Sequence, residues 1–356
     1  MQCMYLTADS VGGPGGGSTV TYHELLALQT LAGTENVTLI QPEDAYARDN
    51  PFYQDDNILR QVKELYKSGS TFDLAHGYAG CLSKTIIFLQ EQGCKVTYTA
   101  AAHSVEESRW EHEHLGLGFD YPHLTDPEQW HRYLAGYLAA DQLIVPSTHS
   151  GQVMKGYGAK NFIVIPHGCG EALPPLKSFP ERFTVGYLGA IGPDKGVCYL
   201  LQAWKELNYK DATLTIAGTH STSTPMYRLL DHFGGGSIQL LGWVDNVSDF
   251  YYDISLYTQC SVSEGFGMEV LEAMHHGRPV LCSIGAGAHD LVPDLWKFPP
   301  RDVKELAAKI DVSRRAIQGK DTSWAKLWQD KALPYTWNII RQKYQKTWEE
   351  LLCQKT

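Results

Sequence analysis

Short apolar runs alternate with longer segments whose apolar residues recur about every 3.6 positions, and both halves of the chain repeat this alternation. The runs predict strands over Met4–Thr7, Val37–Gln41, Leu74–His76, Val96–Thr99, Gln142–Val145 and Phe162–Ile165 in the first half. In the second half they fall over Thr184–Leu188, Thr213–Ala217, Ile238–Leu240, Ile254–Thr258 and Val280–Ser283. Segments such as Val20–Ala32, Ile58–Lys67 and Gly196–Glu206 have helical spacing. Strands that alternate with helices predict parallel sheets covered by helices, an α/β fold.

Between the halves, Gly168–Pro180 holds two glycines and three prolines in 13 residues and forms no regular element. The pattern gives a first α/β domain over 1–170, a linker over 171–181, a second α/β domain over 182–334, and a final helix over 335–356. That helix is amphipathic across Tyr335–Leu352, with Trp337, Ile340, Tyr344, Trp348 and Leu351 near one face. It follows the last strand of the second domain and is expected to pack back on the first.

The 356 residues carry 30 basic and 40 acidic side chains, a net charge of −10. An acidic balance argues against a general nucleic-acid binder. No stretch reaches 18 apolar residues, so no transmembrane helix is expected, and peripheral membrane contact stays open. Met1–Ser10 lacks the basic region and apolar core of a signal peptide and reads as a first strand. The eight cysteines, at 3, 81, 94, 169, 198, 260, 282 and 353, form no C-x-x-C pair. They read as buried, reduced thiols of a cytoplasmic protein, with no zinc-site spacing.

The most informative segment is Ser263–Val280. It follows a strand-like run; Gly265 and Gly267 permit a tight turn, and Met268–His275 reads as a helix. A helix N-terminus behind a glycine turn is a ready anion site. Glu264 lies in the turn and Glu272 in the helix, so they address different parts of one ligand. Two carboxylates flanking an anion site suit a molecule with hydroxyls at both ends and phosphates in the middle, as in a nucleotide sugar.

Glu264-x7-Glu272, within Glu264-Gly-Phe-Gly-Met-Glu-Val-Leu-Glu-Ala-Met, resembles the hallmark of retaining glycosyltransferases of family 4, which have the GT-B fold. Further segments carry the resemblance. Gly189–Gly196 resembles the loop after the first strand of the second domain, with Lys195 as its diphosphate-binding lysine. Ile216–Gly218 and Leu241–Val244 resemble two more landmarks, the second placing backbone at Val244 against the base. Val164–Gly168 resembles the turn before the linker, Gly15–Gly17 the glycine loop of the first domain, and Ala102-His103 the active-site histidine after a strand.

The resemblance implies two Rossmann-like domains facing across a cleft, the C-terminal helix crossing back to the first. It implies transfer of a hexose from a nucleotide-diphosphate sugar, of UDP-glucose or GDP-mannose type, to an acceptor hydroxyl. Glu264, His103 and Lys195 would be catalytic. Gly16, Gly17, Gly189, Val244, Gly265, Phe266, Gly267, Met268 and Glu272 would bind substrate. No cofactor or metal is expected, since no Asp-x-Asp occurs.

Two departures stand out: Ala190 occupies the position where the family often has arginine, and His167 replaces an asparagine. Two other readings share the fold: an epimerase or phosphorylase-like enzyme, and a nucleotide-sugar-binding protein without catalysis. Among the remaining segments, Arg109–His114 has a histidine pair without a known ligand spacing and reads as a solvated face. Aromatic-rich Tyr121–Tyr137 suits either an acceptor surface or plain core.

Overall fold

A computed structural model describes residues 1–13, 15–44, 51–78, 80–102, 104–116, 127–171, 173, 174, 176, 178–219, 235–317 and 323–354. The chain divides into two compact units. One comprises Met1–Ala102, Asp120–Gly168 and Trp337–Thr356, and the other His103–Phe119 and Cys169–Thr336.

The first unit is built on six parallel strands: β1 (Cys3–Thr7), β2 (Val37–Ile40), β3 (Leu74–Tyr78), β4 (Lys95–Thr99), β5 (Gln142–Val145) and β6 (Phe162–Val164), in the order β2-β1-β3-β4-β5-β6. β1 and β3 are buried along their whole length, which is why they read as continuous apolar runs rather than alternating ones. The core gathers Met4, Leu6, Ile58, Val62, Ile86, Leu89, Tyr98 and Val145. The helix Trp337–Cys353 belongs to this unit and packs on the helix Gly16–Ala32. The five residues of its apolar face, Trp337, Ile340, Tyr344, Trp348 and Leu351, are all buried.

The second unit has six more parallel strands: β7 (Phe183–Leu188), β8 (Ala212–Ala217), β9 (Ile238–Gly242), β10 (Leu256–Gln259), β11 (Val280–Ser283) and β12 (Lys297–Phe298). Their order is β12-β11-β10-β7-β8-β9. The strand order reverses at β7, which pairs with β10 on one side and β8 on the other. In an open parallel sheet, ligands bind beyond the strand C-termini at such a switch point.

Eleven of the twelve strands lie where the apolar runs place them, to within two residues at each end. The exception is β12, which at two residues is too short to carry a periodic pattern. Ile254 and Ser255, expected in β10, instead close the helix Val247–Asp253 and are buried as a corner. The chain changes unit at Gly168/Cys169, and residues from the stretch 103–119, which a boundary at 170 leaves in the first domain, group with the second unit. Seven cysteines are buried and unpaired with one another, and Cys353 is exposed. Among the described residues no helix is long and apolar enough to cross a membrane.

Candidate active site

The site is assembled at the switch point of the second sheet, from the loops after β7 and β10. β7 ends at Leu188, and Gly189 carries the chain against its neighbour: a Cβ on Gly218 would lie 1.8 Å from the Gly189 carbonyl, so the two backbones meet only because residue 218 has no side chain. The Tyr187 hydroxyl donates to the Ala190 carbonyl at 2.7 Å and holds the loop back toward its strand. The loop then makes a single turn, Pro193–Lys195. Its position is set from the other side, where Val262 N–H donates to the Asp194 carbonyl at 2.7 Å.

After β10 the chain runs buried through Ser261–Ser263 into Glu264. Backbone bonds fix Glu264 on both edges: its N–H donates to Gly285 (2.9 Å), and its carbonyl accepts from Gly287 (3.0 Å). Gly267, at φ 91°, then turns the chain into the helix Met268–His275. No side chain caps that helix, so its first turn, with its partial positive charge, points into the loop region without a capping group of its own.

The side chains converge. Lys195 Nζ forms an ion pair with Glu264 Oε2, both groups about one-fifth exposed. Burial alone would lower the Lys195 pKa, but the charges of Glu264 and Asp194 outweigh it and hold the ammonium above its ordinary value. Glu272 lies one helical turn after Glu269 and accepts from the Tyr251 hydroxyl at 2.9 Å; burial raises its carboxyl and this bond tempers the rise. Glu269 is a third carboxylate. Burial, then the charges of Glu264 and Glu272, push it up to about 7. Its Oε1 stands 3.4 Å from where a Cβ on Gly189 would be.

Lys195, Glu264, Gly265, Phe266, Gly267, Met268, Glu272 and Gly189 are therefore neighbours beyond the C-terminal ends of the two central strands β7 and β10. Val244 follows β9, partly buried against the same core. Gly16 and Gly17 belong to the first unit, where they open the helix Gly16–Ala32 at the switch point between β1 and β3. A Cβ on Gly17 would lie 2.6 Å from Asp9 Oδ2, so the chain's own carboxylate covers that turn. His103 lies outside the described residues. Glu269 was missed by sequence reasoning, although its spacing of three from Glu272 puts both on one helix face and was open to view.

The run Arg109–His114 departs from the expected solvated face at one residue. Glu111 is not on a solvated face: it is fully buried, paired with Arg301 Nε, and accepts from the Tyr199 hydroxyl at 3.0 Å. The neighbouring Ser104 N–H donates to Ser263 Oγ at 2.7 Å, beside Glu264. Of the aromatic-rich stretch, 121–126 lies outside the described residues. In the described part Tyr137 is core, stacked on Tyr98 at 4.3 Å, while Trp130, edge-on to Tyr157 at 5.1 Å, and Tyr133 are partly buried against it. Among the described residues no group of three His, Cys, Asp or Glu is placed to hold a metal ion.

Residues 182–312, within the second unit, match the family Glycosyl transferases group 1. The chain is 28% identical to O-antigen chain mannosyltransferase B of Escherichia coli over 182 residues, 45% of this chain and 48% of that protein. It is 28% identical to sulfoquinovosyl transferase SQD2 of Arabidopsis thaliana over 154 residues, 40% of this chain and 29% of that one. The matches thus span about half or less of these relatives' length.

Among solved structures, sucrose-phosphate synthase (tll1590) from Thermosynechococcus elongatus superposes with a TM-score of 0.74 at 18% identity, covering 100% of both chains. Anabaena Alr3699/HepE, solved with UDP and glucose, gives 0.70 at 17% identity, covering 98% of this chain and 99% of that one. The chain has the α/β fold of GT-B glycosyltransferase structures.

Proposed function

We propose that the chain is a retaining glycosyltransferase of family 4 that moves a hexose from a nucleotide-diphosphate sugar, of UDP-glucose or GDP-mannose type, to a hydroxyl acceptor. The observation that carries this reading is the Lys195–Glu264 ion pair beside an uncapped helix N-terminus, with Glu272 further along the same helix. The group 1 match over 182–312 and the UDP named in the HepE structure support it.

When the sugar–phosphate bond breaks, negative charge builds on the leaving diphosphate. Lys195 and the first turn of the helix Met268–His275 are positioned to stabilise that charge, and stabilisation that grows toward the transition state speeds the step. Glu264, held by backbone bonds on both edges, receives the hydroxyls of the transferred sugar and offsets positive charge at its anomeric carbon. Glu272 takes the ribose hydroxyls, and His103 serves the sugar or acceptor side. The reading uses no metal, because the ammonium and the helix carry the neutralising charge.

The test begins with thermal melts in UDP-glucose, GDP-mannose and ADP-glucose, since a ligand of the native state raises the melting temperature. Turnover of the stabilising donor is then followed in the wild type, with and without EDTA, and in Glu264→Gln. The variant should stay folded and lose roughly 10²-fold in kcat, the size of one lost preorganised contact. Near-normal turnover in the variant removes Glu264 from the mechanism. Loss of wild-type activity in EDTA, restored by Mg²⁺, overturns the metal-free reading. Ala190, in place of an arginine, favours a second reading, a nucleotide-sugar-binding protein. Donor binding without turnover in the wild type is its signature.

A further inference from the structure

The site holds three carboxylates and one engaged cation. Glu269 faces Glu264 from the loop after β10, Glu272 from its own helix, and Lys195 from the loop after β7. The phenols of Tyr187, Tyr257 and Tyr251 face it from β7, β10 and the helix Val247–Asp253, and burial keeps all three protonated. With every carboxylate ionised, one ammonium already paired with Glu264 would leave the pocket net negative before a doubly charged diphosphate arrived. Glu269 stands in the first turn of the helix and against Gly189, where that helix and the loop that carries Lys195 come together.

We propose that Glu269 is a third donor-binding residue that enters the complex as the neutral acid, its O–H donating to a diphosphate oxygen, so that binding a nucleotide-diphosphate sugar takes up one proton from solvent. This rests on the donor-site reading given above. No bond of the ligand is made or broken in the step; the proton comes from water or buffer and returns when the ligand leaves. The half-ionised free state near neutral pH follows from burial and the two flanking carboxylates. A bound anion favours the protonated form further.

The consequence is a linkage between pH and donor affinity. For a free-state midpoint at about 7 and a bound state that stays protonated, Kd rises by roughly tenfold between about pH 6 and about pH 8. UDP-glucose and GDP-mannose, as diphosphate diesters, do not titrate across that range and are the probes. Calorimetry on the full chain, in buffers of different ionisation enthalpy, reads Kd and the protons taken up together.

Wild type should take up close to one proton at about pH 8. Glu269→Gln should bind with a flat pH profile and no uptake, while Glu272→Gln binds more weakly but keeps the uptake at about pH 8, its midpoint moved to lower pH because one flanking charge is gone. Uptake that survives in Glu269→Gln but vanishes in Glu272→Gln assigns the proton to the other carboxylate and overturns the proposal. A pH-independent Kd without uptake in the wild type overturns it whatever the variants do, while leaving the donor site standing. If no donor binds the wild type at any pH, the donor-site reading fails and this inference falls with it.

Discussion

The buried Glu24 carboxylate holds the first unit together, and its removal is the sharpest test of how that unit is built. Glu24 lies in the helix Gly16–Ala32 and is fully buried. Its Oε2 accepts from the Tyr5 hydroxyl of β1 at 2.8 Å and lies 3.1 Å from His76 Nε2 of β3. Its Oε1 accepts from Tyr344 of the C-terminal helix at 2.7 Å. A second layer continues outward: His76 Nδ1 meets Thr97 Oγ1 at 2.7 Å, and Trp348 Nε1–H donates to the same oxygen at 3.0 Å. Glu24→Ala takes the close acceptor from two buried phenolic O–H groups and from His76 Nε2, leaving Thr99 Oγ1, 3.5 Å from the Tyr344 hydroxyl and 3.4 Å from His76 Nε2, as a more distant one.

Each donor that loses its partner costs about 1–3 kcal/mol, so for three a loss of about 3–9 kcal/mol is expected, a large part of the roughly 5–15 kcal/mol that holds a domain. Glu24→Gln keeps one acceptor oxygen and should cost less. Urea unfolding gives the magnitude, and hydrogen exchange gives its location: protection should fall in 16–32 and 337–353 and stay unchanged in 197–207 and 268–275. The pH profile carries the sign. Burial would raise the Glu24 carboxyl, but His76, Tyr344 and Tyr5 outweigh burial and hold it below its ordinary value of 4.5. A depressed native pKa contributes its stability in full above the unfolded value and loses it as pH falls through the native one. The wild-type advantage over Glu24→Ala should therefore shrink only below about pH 4.5. A cost under about 1 kcal/mol, or an acid profile identical in both proteins, would refute the network as a stabilising element.

Two further outcomes bear on the donor site. Glu272→Ala should raise KM for the donor more than it lowers kcat, since a ribose contact far from the breaking bond is nearly uniform binding; steady-state kinetics showing a kcat loss at unchanged KM contradicts the ribose role. Ala190→Arg should tighten donor binding by roughly tenfold to a hundredfold, because Ala190 is exposed in the loop and Lys195 is already paired with Glu264. Donor titration by calorimetry with an unchanged or weaker affinity refutes it.

What the sequence alone determined follows from local rules. The inner strands were legible because a strand buried on both faces must be a short unbroken apolar run, and the edge strands β2, β6 and β9 as short apolar runs although they are only partly buried or exposed. The helix Met268–His275 was legible because a glycine turn and a 3.6-residue period mark its start and its face. The buried face of Trp337–Cys353 was legible for the same reason. Partners were not. Glu111 sits in a run of charged residues that reads as solvated, and only folding brings Arg301, 190 positions away, onto it. Glu24 and Tyr344 are 320 positions apart, and neither has a local pattern that names the other. The Lys195–Glu264 pair depends on β7 and β10 being neighbours, which is a matter of strand order rather than of either segment. Periodicity reports which face of an element is buried, because that is set by the repeat of the backbone. What lies against that face is set by the order in which the strands pair, and for a buried charge the identity of its partner decides whether it stabilises the fold or breaks it.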